Sequence, residues 1–72
     1  MREEIMLLEL LENMGSPEAV KTKDLKREFV RQHGNKQSGF YSMLFYLDSL
    51  EIIQKEKREI KVNYKKLQEA LK

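Results

Sequence analysis

Apolar residues in the opening stretch MREEIMLLELLENM recur on a helical period. Leu7, Leu10, Leu11 and Met14 share one stripe, which predicts a helix over residues 2–14, closed by Gly15 and broken by Pro17. Ile5, Met6 and Leu8 widen its apolar arc well beyond the usual ~100°, so one packed side cannot cover it. A later part of the chain or a second subunit has to cover Ile5 and Leu8. Residues 19–21 are too short for an independent strand, although Val20 can add one bridge to a sheet formed elsewhere. Thr22 is placed as the N-cap of a second helix with Asp24 in its first turn. Leu25, Phe29, Val30 and His33 then recur at i, i+4, i+5 and i+8, and Gly34 ends this short amphipathic element.

The stretch GNKQS reads as a turn, and Ser38 or Asn35 caps a third helix running to about Leu50. Helical periodicity places Phe40, Met43, Leu44, Leu47 and Leu50 on one face, opposite Ser38, Tyr41, Ser42, Phe45 and Ser49. Phe45 is an aromatic on the polar side and is expected to pack under a later element or beside the first helix, while Tyr46 lies on a flank within reach of the last helix. After Leu50 the period changes to two, predicting strands over residues 52–55 and 59–63. The tip KEKRE has no Gly or Asn, which disfavours a two-residue turn with positive φ and favours a longer loop. Asn63 caps a final helix with Tyr64, Leu67 and Leu71 on its apolar edge.

Length adds a constraint, because 72 residues make one small domain that buries only about 60% of its unfolded surface. With no cysteine and a single histidine, disulfides, thiolate metal sites and a nitrogen-ligated zinc are not expected to supply extra stability. Helix packing, oligomerisation or binding must do so. Charged residues at 36% and apolar residues at 40% exclude a collagenous or low-complexity chain. No apolar run approaches about 18 residues, and the acidic start with Glu9 inside its apolar part does not read as a secretory leader. No membrane span and a cytoplasmic location are therefore expected.

The net charge of +2 conceals a polarised chain. Residues 1–20 set Arg2 against Glu3, Glu4, Glu9, Glu12 and Glu18, a net −4. Residues 21–36 set Lys21, Lys23, Lys26, Arg27, Arg31 and Lys36 against Asp24 and Glu28, a net +4. Asymmetry of this kind suits an anionic partner, although both signs also serve to solvate helix faces.

The order helix, strand, helix, helix, hairpin, helix, with a short turn between the second and third helices, resembles a winged helix-turn-helix domain. The stretch LFYLDSLEIIQKEKREIKVNY carries the resemblance. It is similar to that family's two leucines three apart, then Leu-Gly-Leu-Ile and a charged hairpin that returns through alternating apolar residues. Phe40, Leu44 and Leu47 match the buried positions of the family's third helix, Leu50 closes it, and Ile52 and Ile53 begin the wing. Glu51 departs from the pattern, standing where glycine commonly takes a left-handed backbone. Forcing Glu there costs on the order of 1 kcal/mol, so a different turn into the hairpin is expected.

The resemblance implies a double-stranded DNA-binding protein, a small transcriptional regulator whose third helix enters the major groove while the wing touches phosphate or the minor groove. Carried over, it nominates Gln37, Ser38, Tyr41 and Ser42 as groove-facing, with Gly39 allowing close backbone approach. Lys23, Lys26, Arg27, Arg31 and Lys36, with Lys55, Lys57, Arg58 and Lys61 at the hairpin, become phosphate contacts. No Arg lies on the reading face, so strong guanine recognition is not expected. Small proteins of this fold often pair through terminal helices, which nominates Ile5, Leu8, Tyr64, Leu67 and Leu71 for a homodimer. A monomer in which the last helix folds over the first accounts for the same residues. A protein-interaction module on the same fold remains the alternative function, favoured by exposed Phe45 and Tyr46 and by the dilution of the wing with Glu56 and Glu59. His33 lacks a neighbouring nucleophile or acid in sequence and reads as a packing residue, so neither catalysis, cofactor nor metal is expected.

Overall fold

Four helices and three short strands follow one another in the computed structural model, which describes residues 2–34 and 37–72. In chain order they are α1 (Glu3–Asn13), β1 (Ala19–Lys21), α2 (Thr22–His33), α3 (Gln37–Ser49), β2 (Ile53–Lys55), β3 (Glu59–Val62) and α4 (Tyr64–Ala70). The architecture is mainly helical with a small three-stranded antiparallel sheet ordered β1-β3-β2. Val20 does more than the single expected bridge: Ala19, Val20 and Lys21 pair with Lys61, Ile60 and Glu59. The β2–β3 pairing sets Ile53 opposite Val62 and Lys55 opposite Ile60. In the tip between them Glu56 donates its N–H to the Glu59 carbonyl at 2.8 Å, and no residue there takes a positive φ, in keeping with the absence of glycine.

One core joins all layers. Leu7, Leu10 and Leu11 of α1 meet Leu25 and Phe29 of α2, Phe40, Met43, Leu44 and Leu47 of α3, and the strand residues Val20, Ile53 and Ile60. Phe29 and Phe40 pack with ring centroids 5.4 Å apart, fixing α2 against α3. His33 stacks on Phe29 at 5.1 Å, as a helix-end packing residue would.

Several expectations need correction. Thr22 is the first residue of α2 rather than its N-cap; Lys21 holds that position, with no side-chain capping bond. Leu50 is 44% exposed although its N–H still bonds the Tyr46 carbonyl at 3.3 Å: at 100° per residue it stands about 80° from Phe40, on the edge of the buried face, at the point where α3 ends. Glu51 adopts φ +60°, so the chain makes a left-handed turn here without glycine rather than the different turn expected. Two bonds compensate: Glu51 N–H to the Asp48 carbonyl and Ile52 N–H to the Leu47 carbonyl, both 3.0 Å. The same pair of closures ends α1, where Gly15 has φ +86° and Ser16 N–H reaches the Leu11 carbonyl at 2.7 Å.

The broad apolar arc of α1 is met from within the chain. Leu67 of α4 is fully buried in the core, and half-buried Leu8, Tyr64 and Leu71 pack against it. Tyr64 donates its hydroxyl to the Pro17 carbonyl, and Arg2 reaches across to the Ala70 carbonyl at 2.7 Å. Leu67 therefore cannot serve as a subunit contact, and Tyr64 is engaged within its own chain; of the nominated dimer residues only Ile5 is exposed. Tyr46 turns toward α1 rather than the last helix, donating its hydroxyl to Glu4 at 3.1 Å. No described helix is long and apolar enough to cross a membrane.

Candidate functional site

A groove of about 820 Å³ opens where β1 passes into α2, beside α3 and the hairpin tip. Lys21, Thr22, Lys23, Lys26, Tyr41, Lys57, Arg58 and Glu59 line it. Its construction follows from backbone pairing. The β1–β3 register places Lys21 opposite Glu59, and the Thr22 N–H donates to the Arg58 carbonyl at 3.1 Å. Since Thr22 begins α2, that bond holds the hairpin tip against the helix start. Val20 points into the core, so strand alternation sends Lys21 outward on the groove side.

Tyr41 forms the wall contributed by α3. Its ring meets Phe40 edge-on at 5.3 Å, and Lys26 Nζ lies 5.4 Å from its centroid on the solvent side. The ring is thus in contact with a core aromatic and with a cation, with half its surface still open.

Charge in this groove is unbalanced. Five cations (Lys21, Lys23, Lys26, Lys57 and Arg58) face one carboxylate, Glu59. Among the described residues none of the five makes an ion pair. Three of the nominated cations outside the groove behave differently. Arg27 pairs with Asp24 at 3.9 Å and Arg31 with Glu28 at 3.3 Å, both on the solvent side of α2. Lys61 pairs with Glu56 at 3.1 Å and lines a separate hollow with Asp48, Glu51 and Lys66. The bond and charge of Glu56 raise the Lys61 pKa, holding that ammonium to its partner. Lys55 is exposed and lies outside the groove lining.

Of the nominated residues, then, Lys23, Lys26, Tyr41, Lys57 and Arg58 converge, whereas Arg27, Arg31, Lys55 and Lys61 do not. Ser38 and Ser42 are exposed on α3 beyond the groove lining. Lys36 and the side chain of Gln37 lie outside the described residues. Sequence reasoning missed Lys21, which the alternation around Val20 would have pointed outward, and Thr22, whose part is played by its backbone. Phe45 is the larger surprise. It is 73% exposed and packs under no other element, because its position is on the side of α3 opposite Phe40 and Leu47. Among the described residues no cluster of His, Asp and Glu is arranged to hold a metal ion.

The groove can hold a polyanion by several simultaneous charge contacts, and its one open aromatic offers a flat apolar wall. No family model, curated protein or solved structure matches this chain.

Proposed function

We propose that this chain is a winged-helix protein that binds double-stranded DNA and acts as a small transcriptional regulator without catalytic activity of its own. The element order and the strand order β1-β3-β2 support the winged-helix assignment, with β2–β3 as the wing. One observation carries the DNA reading: five cations without ion pairs, drawn from β1, α2 and the hairpin tip, meet in a single groove beside α3. Free cations in a row release condensed counterions when they meet phosphates, which is the main source of affinity for nucleic acid. No described residue of acidic α1 lines this groove. In this reading α3 enters the major groove and the wing follows the adjacent backbone.

Titrating a fluorescent duplex with the protein at increasing salt tests the proposal. If all five groove cations contact phosphate, log affinity falls against log salt with a slope of about −4 to −5. No binding to duplex at low salt would reject it.

A second reading is favoured by a specific observation. Phe45, Tyr46 and Leu50 are all exposed on or just after α3, a surface suited to a protein partner. Self-association is the simplest form of this reading, and sedimentation equilibrium of the wild type and of Phe45→Ala tests it. A dimer resting on Ile5 would instead be unaffected by Phe45→Ala.

A further inference from the structure

The outer face of α3 carries almost no charge, although 36% of the chain's residues are charged. Asp48 is the single charged residue in its thirteen positions, and it lies toward the hollow shared with Lys61 and Lys66. Turning 100° per residue, the pole opposite the buried Phe40, Met43, Leu44 and Leu47 consists of Ser38, Ser42, Phe45 and Ser49. All four are exposed. Ser49 spends its hydroxyl on the Tyr46 carbonyl at 2.6 Å. What remains for a partner is one projecting phenyl ring beyond two serine hydroxyls, on a helix whose Tyr41 flank borders the basic groove.

On the reading that this groove binds duplex DNA, the chemistry of the pole selects what it can recognise. Guanine edges are read by Arg or Lys, cytosine amino groups by carboxylates and adenine by Asn or Gln. The described side chains of the pole include none of these. A serine hydroxyl serves any base, so it discriminates little. An exposed phenyl ring, by contrast, meets one feature of the major groove, the 5-methyl group of thymine. Ser38 and Phe45 are seven residues apart, roughly 10 Å along the helix, or about three base-pair steps. The ring therefore falls within the same groove segment as the serines.

We infer that Phe45 is a specificity-determining residue that packs on thymine 5-methyl groups, so that the protein prefers duplexes bearing methylated pyrimidines in the major groove.

The test compares full-length protein on an alternating dA·dT duplex and on the matching dA·dU duplex, which lacks only the methyl groups. Wild type should bind the thymine duplex more tightly by about fourfold for each methyl covered. Phe45→Ala should bind both duplexes alike, at the affinity of wild type for dA·dU. Because the ring is exposed, this variant should fold, and an unchanged circular dichroism melt verifies that. Equal binding of the two duplexes by wild type, or a full thymine preference in Phe45→Ala, would overturn the role of Phe45 while leaving duplex binding intact. Loss of self-association in Phe45→Ala with the thymine preference unchanged would assign the ring to a protein contact instead. Binding to neither duplex at low salt would reject the duplex reading and this inference with it.

Discussion

Tyr46 donates a hydrogen bond to a carboxylate that solvent hardly reaches, Glu4 at 3% exposure, whose other partner is the Arg2 guanidinium at 3.6 Å. Replacing Tyr46 by Phe removes a donor from a buried charge, and such a loss costs more than trimming an exposed ring. Phe45→Ala should change stability by no more than about 0.5 kcal/mol, since the ring is open to solvent. Urea midpoints should therefore rank wild type close to Phe45→Ala, with Tyr46→Phe clearly lower. The Glu4 hydrogen bond, with burial and the Glu4 charge, also raises the Tyr46 phenol above its ordinary value. Burial, helped by the charge of Glu18, raises Tyr64 as well. A phenol that holds its proton more tightly when folded contributes stability that is complete below pH ~10 and is lost as pH rises through the folded pKa. Stability should accordingly fall above pH 10, and Tyr46→Phe should flatten part of that fall in pH-dependent urea melts.

At the scale of elements, the helix ends decide where side chains go. Glu51 occupies a left-handed backbone position that glycine fills without steric cost. Glu51→Gly should stabilise the fold by about 0.5–1 kcal/mol, the surface ion pair of Glu51 with Lys66 at 3.6 Å offsetting little of this. Thermal melts of the two proteins check the sign. That turn also explains which parts of the fold were legible in the sequence. Phe40, Leu44 and Leu47 follow from spacing alone because they lie well inside α3, where periodicity is uninterrupted. Leu50 satisfies the same spacing but lies past the last helical residue, and periodicity does not report where a helix stops. Phe45 departs from the expected packing because the helical angle that sets it on the outer face outweighs the preference of large apolar residues for the interior. The shared groove was legible only in part: Lys61 shares the parity of groove-lining Glu59, and on the helical angle Arg27 lies nearer to Lys23 than Lys26 does, so local periodicity does not tell the groove cations from the others. The pairing of the hairpin tip with the start of α2 involves residues 36 positions apart and leaves no local trace.

Seen whole, the groove cations make no ion pair among the described residues, while Arg27, Arg31 and Lys61 outside it are paired. Ion-paired Arg31 and unpaired Lys26 lie on one helix, five residues apart. If the groove is the nucleic-acid surface, Lys26→Ala should weaken duplex binding and reduce the magnitude of the salt slope by about 0.9. Arg31→Ala should leave both unchanged. Equal effects of the two substitutions, measured by salt-titrated anisotropy, would mean that diffuse charge rather than this groove governs binding.

The bond from the Thr22 N–H to the Arg58 carbonyl is one long-range tie at the hairpin tip, and it gives the protein a built-in reporter. For the Thr22 amide to trade its proton for deuterium, the tip has to swing away from the start of α2. Exchange at that single position therefore counts openings of the groove, and a polyanion bridging both walls should slow it with little change at amides buried in the core.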